Sequence, residues 1–406
     1  MSAPGFRDAL PVWTKIGLLS FGGPAGQIAL MQDEVVARRG WVPAESFDRG
    51  LAFSMMLPGP EAQQLATWLG WRLHGLKGGL VAGLAFILPG AALMILLAWI
   101  AAAHGQLPLI AALFAGVQPV VIALVLAAMQ KIGARALSGA LHWALALAAF
   151  VALYVFSAPF PLVIAGAALV GLALPGAEPR MGVPKGPPIL RHATLVLALA
   201  VVVVVAVVLA VDVPRGDEVA TLFTTAALVT FGGAYAVLPF VAEQAVGTYG
   251  WLTPQQMLNG LAIAEATPGP LILVNTYAGF FAGWSGSGEA FRAGAVTALL
   301  ATFYTFVPSF ALILAFAPAV ERLHSIPLAR KALAGVSAAV VGVIANLVLY
   351  LAEAAFFPSG FHSPDWPKLV LFVVALGLVF VLRPGMLTLV GSGLLAGLGL
   401  YLAGLA

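Results

Sequence analysis

The chain contains no cysteine. That excludes disulfides, thiolate metal sites and thiol chemistry. Charge is nearly as scarce: charged residues make up 9% of the 406 positions, against roughly 25% in a soluble domain. So few charges cannot cover the surface of a water-soluble fold of this length. No extended basic patch interleaved with aromatics is present, which argues against nucleic acid as a partner. No histidine pair stands at metal-ligand spacing; His104, His142, His192, His324 and His362 lie singly in loops or at helix ends. No G-x-S-x-G, H-E-x-x-H or phosphate-binding loop occurs, so an intramembrane enzyme is disfavoured and no cofactor is expected.

What is abundant is apolar sequence, at 62% of the chain. Runs long enough to cross a bilayer (~20 residues) recur from end to end. The expected class is an all-α polytopic membrane protein. The apolar segments read as 8–36, a broken one at 46–74, then 78–103, 107–133, 140–156 and 160–174. A Pro-, Gly- and basic-rich loop, 175–192, is the clearest boundary. A solitary run follows at 193–211. The second set is 218–246, a broken 255–284, then 290–317, 326–353, 366–382 and 385–405. If each broken segment crosses the membrane, this gives about 13 (10–13) transmembrane segments. The short pairs 140–156 with 160–174 and 366–382 with 385–405 are the ones that could be less than full crossings. No cleavable signal is expected at residues 1–10.

One stretch occurs twice. Phe21-Gly22-Gly23, Gly40-Trp41 and Pro58-Gly59-Pro60 reappear as Phe231-Gly232-Gly233, Gly250-Trp251 and Pro268-Gly269-Pro270, all displaced by 210 residues (21 to 231, 41 to 251, 58 to 268). Farther along, Pro89 falls on Pro308 and Gly116-Val117 on Gly335-Val336, displaced by 219. The expected organisation is a first repeat at 1–174, a basic cytoplasmic linker with a connecting helix at 175–217, and a second repeat at 218–406.

Lys and Arg in short loops set orientation. Arg72 with Lys77, Lys131 with Arg135, Arg180 with Lys185 and Arg191, and Arg322 with Arg330 and Lys331 mark the cytoplasmic side. Seven spans then separate the two repeat starts, and an odd number makes the repeats inverted. The N-terminus is predicted cytoplasmic and the C-terminus periplasmic. The loop holding Arg38, Arg39 and Arg49 fits this pattern least well, although Asp33, Glu34, Glu45 and Asp48 offset its charge.

Two prolines around a glycine should break a helix rather than bend it. Pro60 and Pro270 would then open new helices, at the first helical position. Amides freed there, with the helix dipole, form an anion site. Such open backbone survives in lipid only when it is buried in protein or faces a cavity. The alternative is a structural kink. Gly22 with Gly23, and Gly232 with Gly233, read equally as a second break facing the first or as close helix packing. Ser20 and Thr230 precede them. Intramembrane charges are functional by default. Lys15 is a candidate anion partner, or else snorkels to the interface. Glu61 and Glu265 are candidate proton carriers, or else residues at solvated loop ends. Gln63, Gln64, Asn275 and Thr276 add neutral hydrogen-bonding groups.

With these residues in hand, the sequence resembles the chromate ion transporter (CHR) family in its long two-domain form. The resemblance rests on Phe21-Gly22-Gly23-Pro24, Leu57-Pro58-Gly59-Pro60, Gln64, Gly70, Trp71, Gly75 and Gly78-Gly79. Phe86-Ile87-Leu88-Pro89-Gly90 and the second-half copies extend it over nearly the whole chain. It implies a multi-pass protein of the bacterial cytoplasmic (inner) membrane that exports chromate, with sulfate as a related oxyanion. Proton coupling or exchange for a counter-anion is implied as the drive; a homodimer is left open. The alternative function is transport of another anion, such as sulfate or a carboxylate.

Overall fold

The computed structural model describes residues 4–173, 187–231, 233–320, 327–358 and 360–404, and among these every regular element is helical. The first half holds α1 (Phe6–Leu19), α2 (Gly23–Met31, prolonged as a π-helix to Ala37), α3 (Ala44–Ser54), α4 (Glu61–His104), α5 (Pro108–Ala136), α6 (Ala140–Tyr154) and α7 (Phe160–Leu172). α8 (Pro187–Ala210) joins the halves. The second half holds α9 (Gly216–Val229), α10 (Ala234–Ala242, prolonged as a π-helix to Thr248), α11 (Pro254–Ala266), α12 (Val274–Gly286), α13 (Phe291–Phe316), α14 (Pro327–Phe356), α15 (Trp366–Gly377) and α16 (Met386–Leu402). The linker basics Arg180 and Lys185, and Arg322, lie outside the described residues.

Among the described residues, five helices are long and apolar enough to cross a membrane: α4, α5, the Arg191–Ala210 part of α8, α13 and the Arg330–Phe356 part of α14. The others are short. α1 has 14 residues and so reaches roughly 21 Å at 1.5 Å per residue, short of the ~30 Å hydrocarbon core.

The short helices fold back on each other as hairpins. A methyl group on Gly50 of α3 would fall 2.3 Å from the Trp68 ring of α4. Those residues stand nearly equidistant from Gly59, so the chain reverses at Pro58-Gly59-Pro60. In the second half a methyl on Gly260 would fall 2.5 Å from the Tyr277 ring, which places the reversal at Pro268-Gly269. α1 and α2 also double back, because Lys15 Nζ lies 2.8 Å from Glu34 Oε1. If those helices ran on in line, the 19 intervening steps would hold the pair about 28 Å apart. Trp251 Nε1 donates to Glu218 at 3.0 Å and closes the α9–α10 pair likewise. The broken segments 46–74 and 255–284, expected as interrupted crossings, are therefore helical hairpins. The physical reason is length: each arm spans about half a bilayer, and hydropathy cannot distinguish two stacked arms from one interrupted span.

α4 turns once more. His74 and Gly75 leave helical geometry, and Gly70 and Gly78 approach until a methyl on either would strike the other's carbonyl at 2.3 and 2.2 Å. Its first arm, 61–73, therefore belongs to the hairpin, and its second arm, 76–104, is the long helix.

Small residues set the packing between long helices, as is usual in lipid, where no hydrophobic drive pulls helices together. Gly116 of α5 meets Gly393 and Gly397 of α16, and Gly335 of α14 meets Ala167 and Gly171 of α7. Each half thus holds the terminal helices of the other. α8 packs along α13 and leaves its other faces open: 6% of its apolar window is buried, against 61% for α5, as suits a helix that faces lipid.

Candidate functional site

Four hairpin tips meet inside the molecule. Gly59 and Gly269 carry φ of 121° and 99°, a region open to glycine and strained for other residues. Each glycine is flanked by prolines that can neither donate a hydrogen bond nor continue the preceding helix. Pro60 and Pro270 stand at the N-cap, one position before helical geometry begins. That is one residue earlier than expected, and the chain after Pro270 first makes a short 3-10 turn, Leu271–Leu273.

The tips bond across the halves, and they do so reciprocally. Gly59 N–H donates to the Thr230 carbonyl at 2.8 Å, and Gly269 N–H to the Ser20 carbonyl at 3.1 Å. These are the same contact, because Gly269 is Gly59 displaced by 210 and Thr230 is Ser20 displaced by 210. The long helices repeat the pattern. A methyl on Gly59 would lie 2.8 Å from Ser309 Oγ of α13, and one on Gly90 of α4 would lie 2.1 Å from the Pro268 carbonyl. Ser309 is Gly90 displaced by 219. Contacts that exchange partners in this way are those of a two-fold axis.

The side chains at the tips are less symmetric. Ser20 Oγ accepts from Gly269 N–H at 2.9 Å. Gln27 donates to the Gly269 carbonyl at 2.7 Å and to the Ser20 carbonyl at 3.2 Å. Gln64 donates to the Pro58 carbonyl at 2.7 Å, which closes its own tip. Gln63 donates to Thr67 at 2.8 Å and accepts from Ser309 at 2.6 Å. Asn275 donates to Thr305 at 3.1 Å, and Thr276 pairs with Thr302 at 2.7 Å. The buried oxygens Gln27 Oε1, Gln64 Oε1 and Asn275 Oδ1 and the buried donor Trp68 Nε1 have no partner. Unpaired buried polar atoms are costly, and three of these, the side-chain oxygens of Gln27, Gln64 and Asn275, lie at or beside the tips.

Ser20, Gly23, Pro58, Gly59, Pro60, Gln63, Gln64, Gly233, Pro268, Gly269, Pro270 and Asn275 are thus all at or beside the tips. Gly22 carries φ 87° at the first tip and is exposed; Gly232 lies outside the described residues. Lys15 is drawn elsewhere, into an ion pair with Glu34, whose buried carboxylate also receives Arg39. Glu61 opens α4, and its carboxylate reaches the second half: a methyl on Gly233 would lie 3.5 Å from Glu61 Oε1. Glu265 is 4% exposed and accepts a hydrogen bond from Tyr235.

Gln27, Thr67, Tyr235, Thr305 and Ser309 hydrogen-bond to these residues, and sequence reasoning did not pick them out. Thr302, Thr305 and Ser309 recur at helical spacing along otherwise apolar α13, and that stripe was their signal. Ser309 also follows Pro308, the copy of Pro89.

Chemically, the arrangement offers hydrogen-bond donors without a net positive charge. The amides of Glu61, Ala62 and Gln63 have no acceptor within their own helix, as at every helix start, and they lie at its positive end. That suits a weakly basic anion. Among the described residues no His, Asp and Glu cluster could hold a metal ion.

The family model described as chromate transporter matches residues 8–172 and 218–398. A chromate transport protein of Pseudomonas aeruginosa is 34% identical over 358 residues, covering 84% of this chain and 79% of its own length. A probable chromate transport protein of Synechococcus elongatus is 28% identical over 382 residues, covering 92% and 90%. An uncharacterized transporter of Bacillus subtilis, YwrA, is 36% identical over 126 residues, 31% of this chain and 70% of its own length. No solved structure matches the chain.

Proposed function

The chain belongs to the chromate transporter family, and on that premise we propose that it is a secondary transporter exporting chromate or a related tetrahedral oxyanion such as sulfate. The observation that carries this reading is the reciprocal meeting of four hairpin tips, each opened by glycine or by glycine and proline. Broken backbone at the join of two repeats is where secondary transporters keep their substrate site. The anion is held by the first-turn amides after Pro60 and Pro270, with Gln63, Gln64 and Asn275 beside them. Glu61 and Glu265 are the groups at this join that can carry protons.

The hairpins support one topology. A hairpin returns to the side it came from, so the five long helices alone cross the membrane. Three of them, the second arm of α4, α5 and α8, separate the starts of the repeats. Three is odd, so the repeats are inverted, with the N-terminus cytoplasmic and the C-terminus periplasmic. The same count puts Arg38, Arg39 and Arg49 on the cytoplasmic side, where basic loops belong. A relative of about half this chain's length, matched over 70% of it, supports the half as the unit of duplication.

Expression in chromate-sensitive bacterial cells tests the function. Cells carrying the protein should accumulate less chromate than cells carrying Gly59→Leu, whose side chain meets Ser309 and Gln64 at 2.8 Å. Equal accumulation with intact protein in the membrane would sink the chromate assignment. Competition of labelled chromate by sulfate, molybdate and carboxylates then ranks the substrates.

A further inference from the structure

The two halves hold their hairpins differently. In the second half α10 packs along α14, and α11 along both α5 and α14. Gln118 of α5 ties this packing to Asn259 of α11 at 2.9 Å, and Ala236, Ala262 and Glu265 are buried. In the first half α2 and α3 have no comparable packing on α5 or α14. The corresponding positions Gly26, Ala52 and Met55 are exposed. This exposed face is not of the lipid-facing kind. α8, which does face lipid, presents Leu195, Leu199 and Leu209, whereas α2 presents Ala25, Gly26 and Ala29, and α3 presents Asp48, Arg49 and Ala52 beside Met55. Membrane helices carry small residues where another helix approaches closely. The first half therefore shows a packing surface with its partner helix drawn away.

One pair of side chains goes with the closed half. Tyr235 of α10 donates its hydroxyl to Glu265 of α11 and so joins the second half's two hairpins below their tips. At the corresponding positions the first half has Ala25 and Met55, which cannot make that bond. We infer that Tyr235 and Glu265 form the latch that closes the second half's path to the tips, and that the unlatched first half is the open path. Two copies of one motif in two packings are what a bistable transporter displays when one side is open. Transport exchanges the packings, and the latch must part for the second path to open. This rests on the transporter reading.

The absence of native cysteine allows a direct test that needs no substrate. Single cysteines at Ala52 and at Ala262, its copy, are placed in the full-length protein in detergent and treated with a water-soluble maleimide. Ala52→Cys should react roughly tenfold faster than Ala262→Cys, since reactivity follows local opening. Adding Tyr235→Phe should raise the Ala262→Cys rate roughly fivefold, Glu265→Ala should do the same, and the two together should add nothing further. Ala52→Cys should stay reactive in each background, which shows that the fold persists. Where one latch variant aggregates, the other decides. An unchanged Ala262→Cys rate, or equal reactivity of the two cysteines in the otherwise native chain, would overturn the latch. Neither result bears on chromate movement, so failure of the latch and failure of the transport reading stay distinguishable.

Discussion

Glu61 occupies the place where the proposed site needs no negative charge. It is the first residue of α4, beside the amides proposed to hold the anion, and its carboxylate reaches Gly233 across the join. A carboxylate at a helix start gains roughly 0.3–1 kcal/mol from the dipole. An oxyanion drawn to the same amides must do so against that charge, and two unit charges 4 Å apart repel by about 4 kcal/mol at an effective dielectric near 20. Glu61→Gln should therefore lower the KM for chromate, by about tenfold for each 1.4 kcal/mol of repulsion removed. Initial rates in inside-out membrane vesicles measure it, and a raised KM would show that Glu61 supports the anion rather than competing with it. Glu61 was legible in the sequence because a charge beside a Pro-Gly-Pro break stands out in apolar surroundings. Tyr235 was not, because a lone hydroxyl in a helix is commonplace, and the hydroxyl stripe on α13 did not name the partner of Ser309. Only the fold brings Ser309 to Gly59, 250 positions away in the chain. Lys15 stood out equally, yet its side chain turns to Glu34, a partner that sequence spacing assigns to the far end of a continuous span.

That misreading belongs to the scale of the element. Hydropathy located the helices and the two breaks closely, and the 210-residue register survives even in backbone detail. Trp41 and Trp251 both donate to the carbonyl six residues back, at 2.9 and 2.8 Å. What sequence could not decide was whether the chain continues or reverses at a break. Gly50 settles it, because it exists to let Trp68 lie flat against α3. The misfit of Arg38, Arg39 and Arg49 was the sequence's own hint of reversal. Gly50→Val should overpack this seam and cost about 1–3 kcal/mol, seen as a lower Tm in detergent. Gly166→Val, on α7 with open space around it, should leave Tm unchanged. Equal effects of the two substitutions would mean that α3 and the first arm of α4 do not depend on this contact.

For the whole molecule, on the proposed reading as an exporter, the question is what would drive an anion outward through the join of the halves. A single charge moved through 100 mV gains about 2.3 kcal/mol, so an unaccompanied dianion gains about twice that from an interior-negative membrane. Export then needs no further energy source; a proton carried out with the anion would subtract from the drive and one exchanged inward would add to it, and either makes transport depend on pH. Glu265 is placed to carry such a proton. It is buried, lies just before the second Pro-Gly-Pro tip and has no counterpart in the first half, where Met55 stands. In proteoliposomes with an imposed potassium-diffusion potential, chromate efflux should rise as the chromate-loaded lumen is made more negative, in both the native protein and Glu265→Gln. The native flux should also vary with pH at fixed potential, and in Glu265→Gln that variation should vanish. Persistence of the pH dependence in the variant would clear Glu265 and leave Glu61 as the proton carrier; a flux indifferent to potential would mean that a counter-ion balances the charge on every cycle.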